Sequence, residues 1–302
     1  MHLILLHGYL LQGTGSNIYV ANVAQAWRDQ GHGVTVVCQE PDAAALPFVD
    51  EAFLPGGKLP RKRPRARRVR VVVPDIERLL PVYVFDRYEG YEVKRIPDLT
   101  PEEVERHVTL TAQALRKAAR LGARRVLANH VLLGPLIARR ALKGTGVPYD
   151  VKVHGSALEY TLVPNPHLLP YAVEGLAGAE RIYAGTRHVR ERVLEVFSGR
   201  SEEIGLDHKL HVVPPGMDPE VFAPARHPAQ SRVRFRETVA RKIEERPNGR
   251  TARPGCSWPP PGNTTSGRPT PTCCSGGPTC APRSRPSATS ASCSAPRGWG
   301  SC

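Results

Sequence analysis

From Arg246 to Cys302 the chain contains no Leu, Ile, Val, Phe, Met, Tyr or Lys, and no acidic residue. A segment without aliphatic side chains cannot bury enough apolar surface to offset the entropy of ordering it, about 1–2 kcal/mol per residue. The 302 residues are therefore not expected to form one globule, and a disordered tail is expected over 246–302. The tail carries 7 Arg, half of the net charge of +14, together with 11 of the 30 Pro and six of the seven Cys. Cys256, Cys273, Cys274, Cys280, Cys293 and Cys302 show no CxxC pair and no following His, so no zinc module and no metal are expected. Its narrow alphabet is what a GC-rich gene yields when read out of frame. A shifted frame near residues 247–255, replacing a further domain, is the expected origin.

The first 245 residues read differently. They hold all 28 acidic residues and a single cysteine, Cys38, which points to a reducing compartment and away from a disulfide framework. Met1 to Leu11 is apolar but lacks a basic start and a small-residue cleavage site, so it reads as a buried strand and not as a signal peptide. No run approaches a membrane span. A cytoplasmic protein is expected, with peripheral membrane contact as an option.

Along the chain, strand signals alternate with helical periodicity. Residues 2–7 form an apolar run, followed by Gly13-Thr14-Gly15-Ser16 and a helix with Ile18, Val20, Val23, Ala24 and Trp27 on one side. Ser16 is the expected N-cap, Gly31 the expected residue past the helix end, and 33–38 the next strand. A loop over 55–70 carries Arg61, Lys62, Arg63, Arg65, Arg67, Arg68 and Arg70, and 82–86 reads as a strand. Thr100-Pro101-Glu102-Glu103 is a capping box with Pro at the first helical position. It opens a helix through Val104, Val108, Thr111, Leu115 and Ala118 that stops at Gly122. Strands at 125–129, 149–153, 180–184 and 209–213 then alternate with helices at about 133–142, 167–177 and 187–197. The expected fold is α/β, a Rossmann-like doubly wound parallel sheet over 1–213. A hinge and a further helix are expected over 214–245, before the tail.

Five features occur in one order: the Gly13/Gly15 loop, the Gly31-His32-Gly33 turn before the second strand, and His154-Gly155-Ser156 at a later strand end. Then come Ala179-Glu180-Arg181-Ile182 leading to Thr186, and Val212-Val213-Pro214-Pro215-Gly216-Met217-Asp218 with Phe222 and Pro224. This order resembles the N-terminal half of the family-4 retaining glycosyltransferases, which have the GT-B fold, over roughly residues 3–224. The resemblance implies transfer of a hexosyl group, with retention, from a nucleotide-sugar donor to a hydroxyl of a carbohydrate or lipid-linked acceptor. A UDP- or GDP-linked sugar is the implied donor, and no cofactor or metal is required.

Backbone N–H groups of Gly13 to Asn17 at a helix N-terminus suit a diphosphate. Gly13, Gly15 and Ser16 are therefore the expected donor-diphosphate contacts, against the plainer reading of a tight turn. The resemblance places His154 beside the transferred sugar as the catalytic histidine, where a capping histidine is the alternative. Asn129 and His130 sit at a strand end and are candidate acceptor contacts, with exposed loop polarity as the alternative.

Other classes fit less well. The nicotinamide fingerprint requires G-x-G-x-x-G directly after the strand; here Ile18 stands at the third position, although Glu40 ends the second strand as a ribose-binding acid would. His7-Gly8 is a dipeptide of α/β-hydrolase loops, but no G-x-S-x-G exists in the chain. The basic run 61–70 has no interleaved aromatic residue, so no nucleic-acid partner is expected. It reads as a solvated loop or a contact with an anionic membrane surface.

In the resembled family a second domain supplies a Lys/Arg pair for the leaving diphosphate and a Glu-x7-Glu motif. Glu195/Glu203 and Glu237/Glu245 have that spacing without its surroundings. Without the cationic clamp, little or no transferase activity is expected of this chain. A non-catalytic Rossmann-like module binding an anionic partner is the alternative function.

Overall fold

The computed structural model describes residues 1–58, 60–84, 87–217 and 233–238. Phe85 and Asp86 of the expected strand 82–86, the hinge from Asp218, most of the expected helix within 231–245, and the tail lie outside the described residues. The described residues up to 217 form one compact unit. Beyond it, residues 233–238 are helical and exposed.

The unit is built from β1 (His2–Leu6), α1 (Gly15–Asp29), β2 (Gly33–Val37), β3 (Glu51–Phe53), β4 (Arg68–Val72), β5 (Leu79–Val82), β6 (Glu92–Arg95), α2 (Pro101–Ala119) and β7 (Arg125–Asn129). There follow α3 (Gly134–Leu142), β8 (Tyr149–Val153), α4 (Leu169–Ala177), β9 (Arg181–Ala184), α5 (Arg187–Val196), the short α6 (Ser201–Ile204) and α7 (Leu206–Lys209), and β10 (Leu210–Val212). Eight strands form one sheet in the order β10-β9-β8-β7-β1-β2-β4-β3. Every pairing in it is parallel.

Parallel strands covered on both faces need apolar side chains on both faces. All five residues of β2 are buried, and its one polar side chain, Thr35, is hydrogen-bonded to His2 Nε2 at 2.9 Å. Alternation along β1 divides the core. Leu5 joins Val20, Ala21 and Ala24 of α1 on one face. Ile4 and Leu6 join Val104, Val108 and Leu115 of α2, with Leu136 of α3, on the other. Each fully buried Val or Leu contributes about 1.5–3 kcal/mol, so these two layers hold the sheet and fix the ends of its strands.

The structure corrects several local expectations. The N-cap of α1 is Thr14, whose Oγ1 accepts from the Asn17 amide, while Ser16 lies inside the first turn. The side chain two residues earlier already points back over the free N–H groups. Ile18 is half exposed, and Asn17 takes a buried place on that helix. Arg68 and Arg70 are not loop residues but part of β4, which the charge of RVRVV conceals. Arg70 is buried, with its guanidinium on Glu51 Oε2 at 2.6–2.8 Å and on Lys62 O at 2.6 Å. The strand expected at 82–86 ends at Val82 and pairs with β6 in a separate two-stranded sheet. The capping box at Thr100 and Glu103 forms in both directions.

Candidate functional site

β1 lies between β2 and β7, so the chain winds outward from it both ways. The carboxyl ends of strands at such a switch point form a crevice where open α/β sheets bind ligands. Three adjacent strands end there in histidine: His7 after β1, His130 after Asn129 of β7, and His154 after β8. The amino end of α1 enters the same edge.

His7 stacks on His130, and His154 meets His130 at a tilt. The His130 ring centroid lies 5.5 Å from His7 and 4.8 Å from His154. Tyr83 covers His130 at 4.4 Å, and Tyr9 meets it edge-on at 5.5 Å. Tyr19 of α1 closes on His154 at 5.4 Å, which ties the helix carrying the glycine loop to the histidine at the end of β8. Burial pushes His7 down to about 4 and His154 to about 3, and it takes His130 well below the usual imidazole range. All three rings are thus neutral at pH 7.

Two asparagines organise the cluster. Asn129 Nδ2 donates to Leu6 O at 3.1 Å, and its Oδ1 lies 3.0 Å from His154 Nε2. Asn17 Nδ2 donates to Gln12 O at 2.5 Å, and its Oδ1 lies 2.9 Å from His7 Nε2. His130 is 2% exposed and has left-handed backbone (φ 71°). Neither of its ring nitrogens, nor His7 Nδ1, has a protein partner. A small cavity of about 30 Å³ lies beside His7, Tyr9, Tyr83, His107, Thr111 and Asn129, room for roughly one or two waters among polar atoms.

Gly13, Thr14 and Gly15 are exposed, and Ser16 is half-buried. Gly13 has φ 93°, a conformation that favours glycine. The first turn of α1 carries no acidic residue, so the positive end of the helix dipole is uncompensated. Lys152 of β8 is 4% exposed, donates to Val213 O at 2.7 Å and lies 5.7 Å over the Tyr19 ring. It makes no ion pair with a carboxylate among the described residues. The edge therefore combines backbone donors and a buried ammonium with neutral imidazoles. That set can hold an oxyanion next to hydroxyl groups.

The structure brings Gly13, Gly15, Ser16, Asn129, His130 and His154 to one edge. It does not place Asn129 and His130 on an exposed loop: they are 1% and 2% exposed. Sequence reasoning passed over Tyr83 and Lys152, weighed His7 only as part of a hydrolase-loop dipeptide, and took Asn17 only for its backbone N–H. The signal available was that successive strands end in LLH, LANH and VKVH, a repetition invisible until the strands are known to be neighbours. Glu40 accepts the amides of Leu11 and Asp42 at 2.9 and 3.3 Å, so it braces the loop where a ribose-binding acid would stand free. Among the described residues no cluster of His, Cys, Asp or Glu has metal-binding geometry. No described helix is long and apolar enough to cross a membrane.

Residues 14–216 match the family model described as the glycosyl transferase 4-like domain. The chain belongs to that family. This glycosyl transferase 4-like domain is also similar to solved structures. One is UDP-GlcNAc 2-epimerase from Neisseria meningitidis bound to UDP-GlcNAc (12% identity, 70% of this chain and 45% of that one, TM-score 0.38). Another is an α,α-trehalose-phosphate synthase (UDP-forming) from Burkholderia vietnamiensis (12% identity, 74% and 49%, TM-score 0.38). A third is the catalytic domain of starch synthase IV from Arabidopsis thaliana bound to ADP and acarbose (13% identity, 75% and 54%, TM-score 0.37). The chain spans about half the length of these structures. Comparison with curated proteins finds no match.

Proposed function

We propose that the carboxyl edge of this sheet is the donor-facing wall of a retaining glycosyltransferase, the N-terminal half of a GT-B fold. The donor is a nucleotide-sugar, UDP- or GDP-linked. Its diphosphate takes the free N–H groups of Gly13, Gly15 and Ser16, and the transferred hexose lies at His154. A hydroxyl of a carbohydrate or lipid-linked molecule is the acceptor, and the reaction belongs to the cytoplasm. The observation that carries this reading is the convergence of the amino end of α1 and His154 through Tyr19, which puts an anion site and a hydroxyl partner side by side.

The basic run is placed elsewhere. A Cβ on Gly33, at the start of β2, would meet Pro64 O and Arg65 O, so Arg61 to Arg65 follow the opposite edge of the sheet from His154. Arg68 is paired with Asp50 and Arg70 with Glu51. Contact with an anionic membrane therefore falls to Arg61, Lys62, Arg63, Arg65 and Arg67, and it would hold the donor edge away from the lipid.

Titration calorimetry of the 302-residue protein with UDP- and GDP-sugars, and with the matching nucleoside diphosphates, tests the reading. His154→Ala is expected to lose about 2–10-fold affinity for the nucleotide-sugar, the worth of one hydrogen bond, and none for the nucleoside diphosphate. No saturable binding of any nucleoside diphosphate would contradict it. Diphosphate binding without any contribution from a sugar would favour a non-catalytic module for an anionic partner.

A further inference from the structure

We propose that Asn129 is a positioning residue that locks the tautomer of His154, so that the imidazole offers the Nδ1 lone pair, and not a proton, to a hydroxyl of the bound sugar. The assignment of that hydroxyl rests on the reading of His154 given above; the lock itself does not.

The chain of hydrogen bonds leaves one solution. Leu6 O is a backbone carbonyl and can only accept, so the Asn129 atom 3.1 Å from it is the amide nitrogen. The other end of the amide is then the oxygen, which also can only accept. His154 Nε2, 3.0 Å from that oxygen, must carry the proton. A neutral imidazole has one N–H, so Nδ1 is bare. The ring is kept neutral chiefly by burial, with His7 and Lys152 adding to the effect. The unpartnered buried ring atoms of this cluster belong to His7 and His130; His154 is half-buried, and its Nδ1 is not among them.

Asn129 has little freedom to do otherwise. It is 1% exposed, and its backbone is paired opposite Lys152 across β7 and β8. α3 packs so closely behind it that a Cβ on Gly134 would stand 2.3 Å from Asn129 O. Both polar atoms of its side chain are engaged, one amide hydrogen on Leu6 O and the oxygen on His154, so the amide cannot flip without losing both contacts. The same construction recurs one strand away. Gln12 O fixes the Asn17 amide, which fixes His7 as the Nε2–H tautomer. The two Asn–His pairs flank His130, and the site takes its hydrogen-bond acceptors from imidazoles and its donors from α1 and Lys152.

Histidine-selective 15N labelling of the full chain, with two-bond 1H–15N correlation of the imidazoles, reads the tautomer directly. His154→Gln identifies its signals. The titratable groups facing this ring are His7, His130, Lys152 and Tyr19. At pH 7 the wild type is expected to show His154 as the neutral Nε2–H form. Asn129→Leu, similar in volume and unable to accept, is expected to give a mixture of tautomers. Asn129→Asp keeps an acceptor oxygen, so it is expected to retain Nε2–H while raising the imidazole pKa by more than about one unit. A wild-type Nδ1–H or cationic ring overturns the proposal, as does a folded Asn129→Leu with the tautomer unchanged. Should Asn129→Leu fail to fold, the Asp variant decides, and an unmoved pKa there counts against the lock. Since no ligand is needed, failure of the sugar-transfer reading and failure of the lock appear in different experiments.

Discussion

At Gly13 the backbone has φ 93°, while a Cβ built there meets nothing within 4 Å; at Gly15 the space is equally open and φ is not positive. The two glycines of the loop therefore have different physical roles. Gly13→Ala is expected to destabilise by about 1–3 kcal/mol through backbone strain alone. Gly15→Ala, at a helical position, is expected to be neutral or stabilising by up to about 1 kcal/mol. Denaturant midpoints at constant m-value check both, and equal losses would contradict the assignment. Gly13 and Gly15 could be placed in the sequence but not told apart there, because the sign of φ depends on how Thr14 caps α1. The places of His7 and Asn17 in the site were out of reach for a related reason. An apolar strand followed by a histidine is common, and only the neighbouring strand ends show that it stacks on a second imidazole.

At the scale of elements, the strand GVTVV was readable because parallel strands buried on both faces are written in nearly continuous apolar residues. RVLAN and YDVKV, with polar or charged residues at two of five positions, were readable from their place between helical stretches. The helix after Thr100 was readable because its cap satisfies two backbone donors with two side chains. β4 was not readable as a whole, since alternating arginines mimic a solvated loop. Its Arg70 is tolerated inside only because Glu51, Lys62 O and the Phe53 ring surround the guanidinium. The β5–β6 sheet was half missed because β6, EVKR, has no buried residue. Its partner β5 instead carries Leu80 and Val82 into a small cluster with Tyr9. That cluster brings Tyr83 over His130, so the least readable element covers the site.

For the whole molecule, five histidines that burial holds neutral link stability to pH. His2, His7 and His107 lie at about 4, His154 at about 3, and His130 far below its usual value. In the unfolded chain each takes up a proton near pH 6.5. Their contribution is complete above that value and is lost as pH falls from roughly 6.5 toward 4, because the unfolded state binds more protons there. Chemical denaturation between pH 7.5 and 4.5 is expected to show stability falling steadily with acid; a flat profile would contradict neutral burial of the cluster.

The two edges of the sheet are chemically distinct as well, with the helix end, Lys152 and the imidazoles at one and Arg61 to Arg67 at the other. The most direct test of the central claim is a 1H–15N titration of the 302-residue protein with UDP- and GDP-sugars, following backbone amides and imidazoles together. Saturable shifts at Gly13, Gly15, Ser16 and the His154 ring are expected. Shifts confined to Arg61 through Arg67, or none, would contradict a donor site at the carboxyl edge.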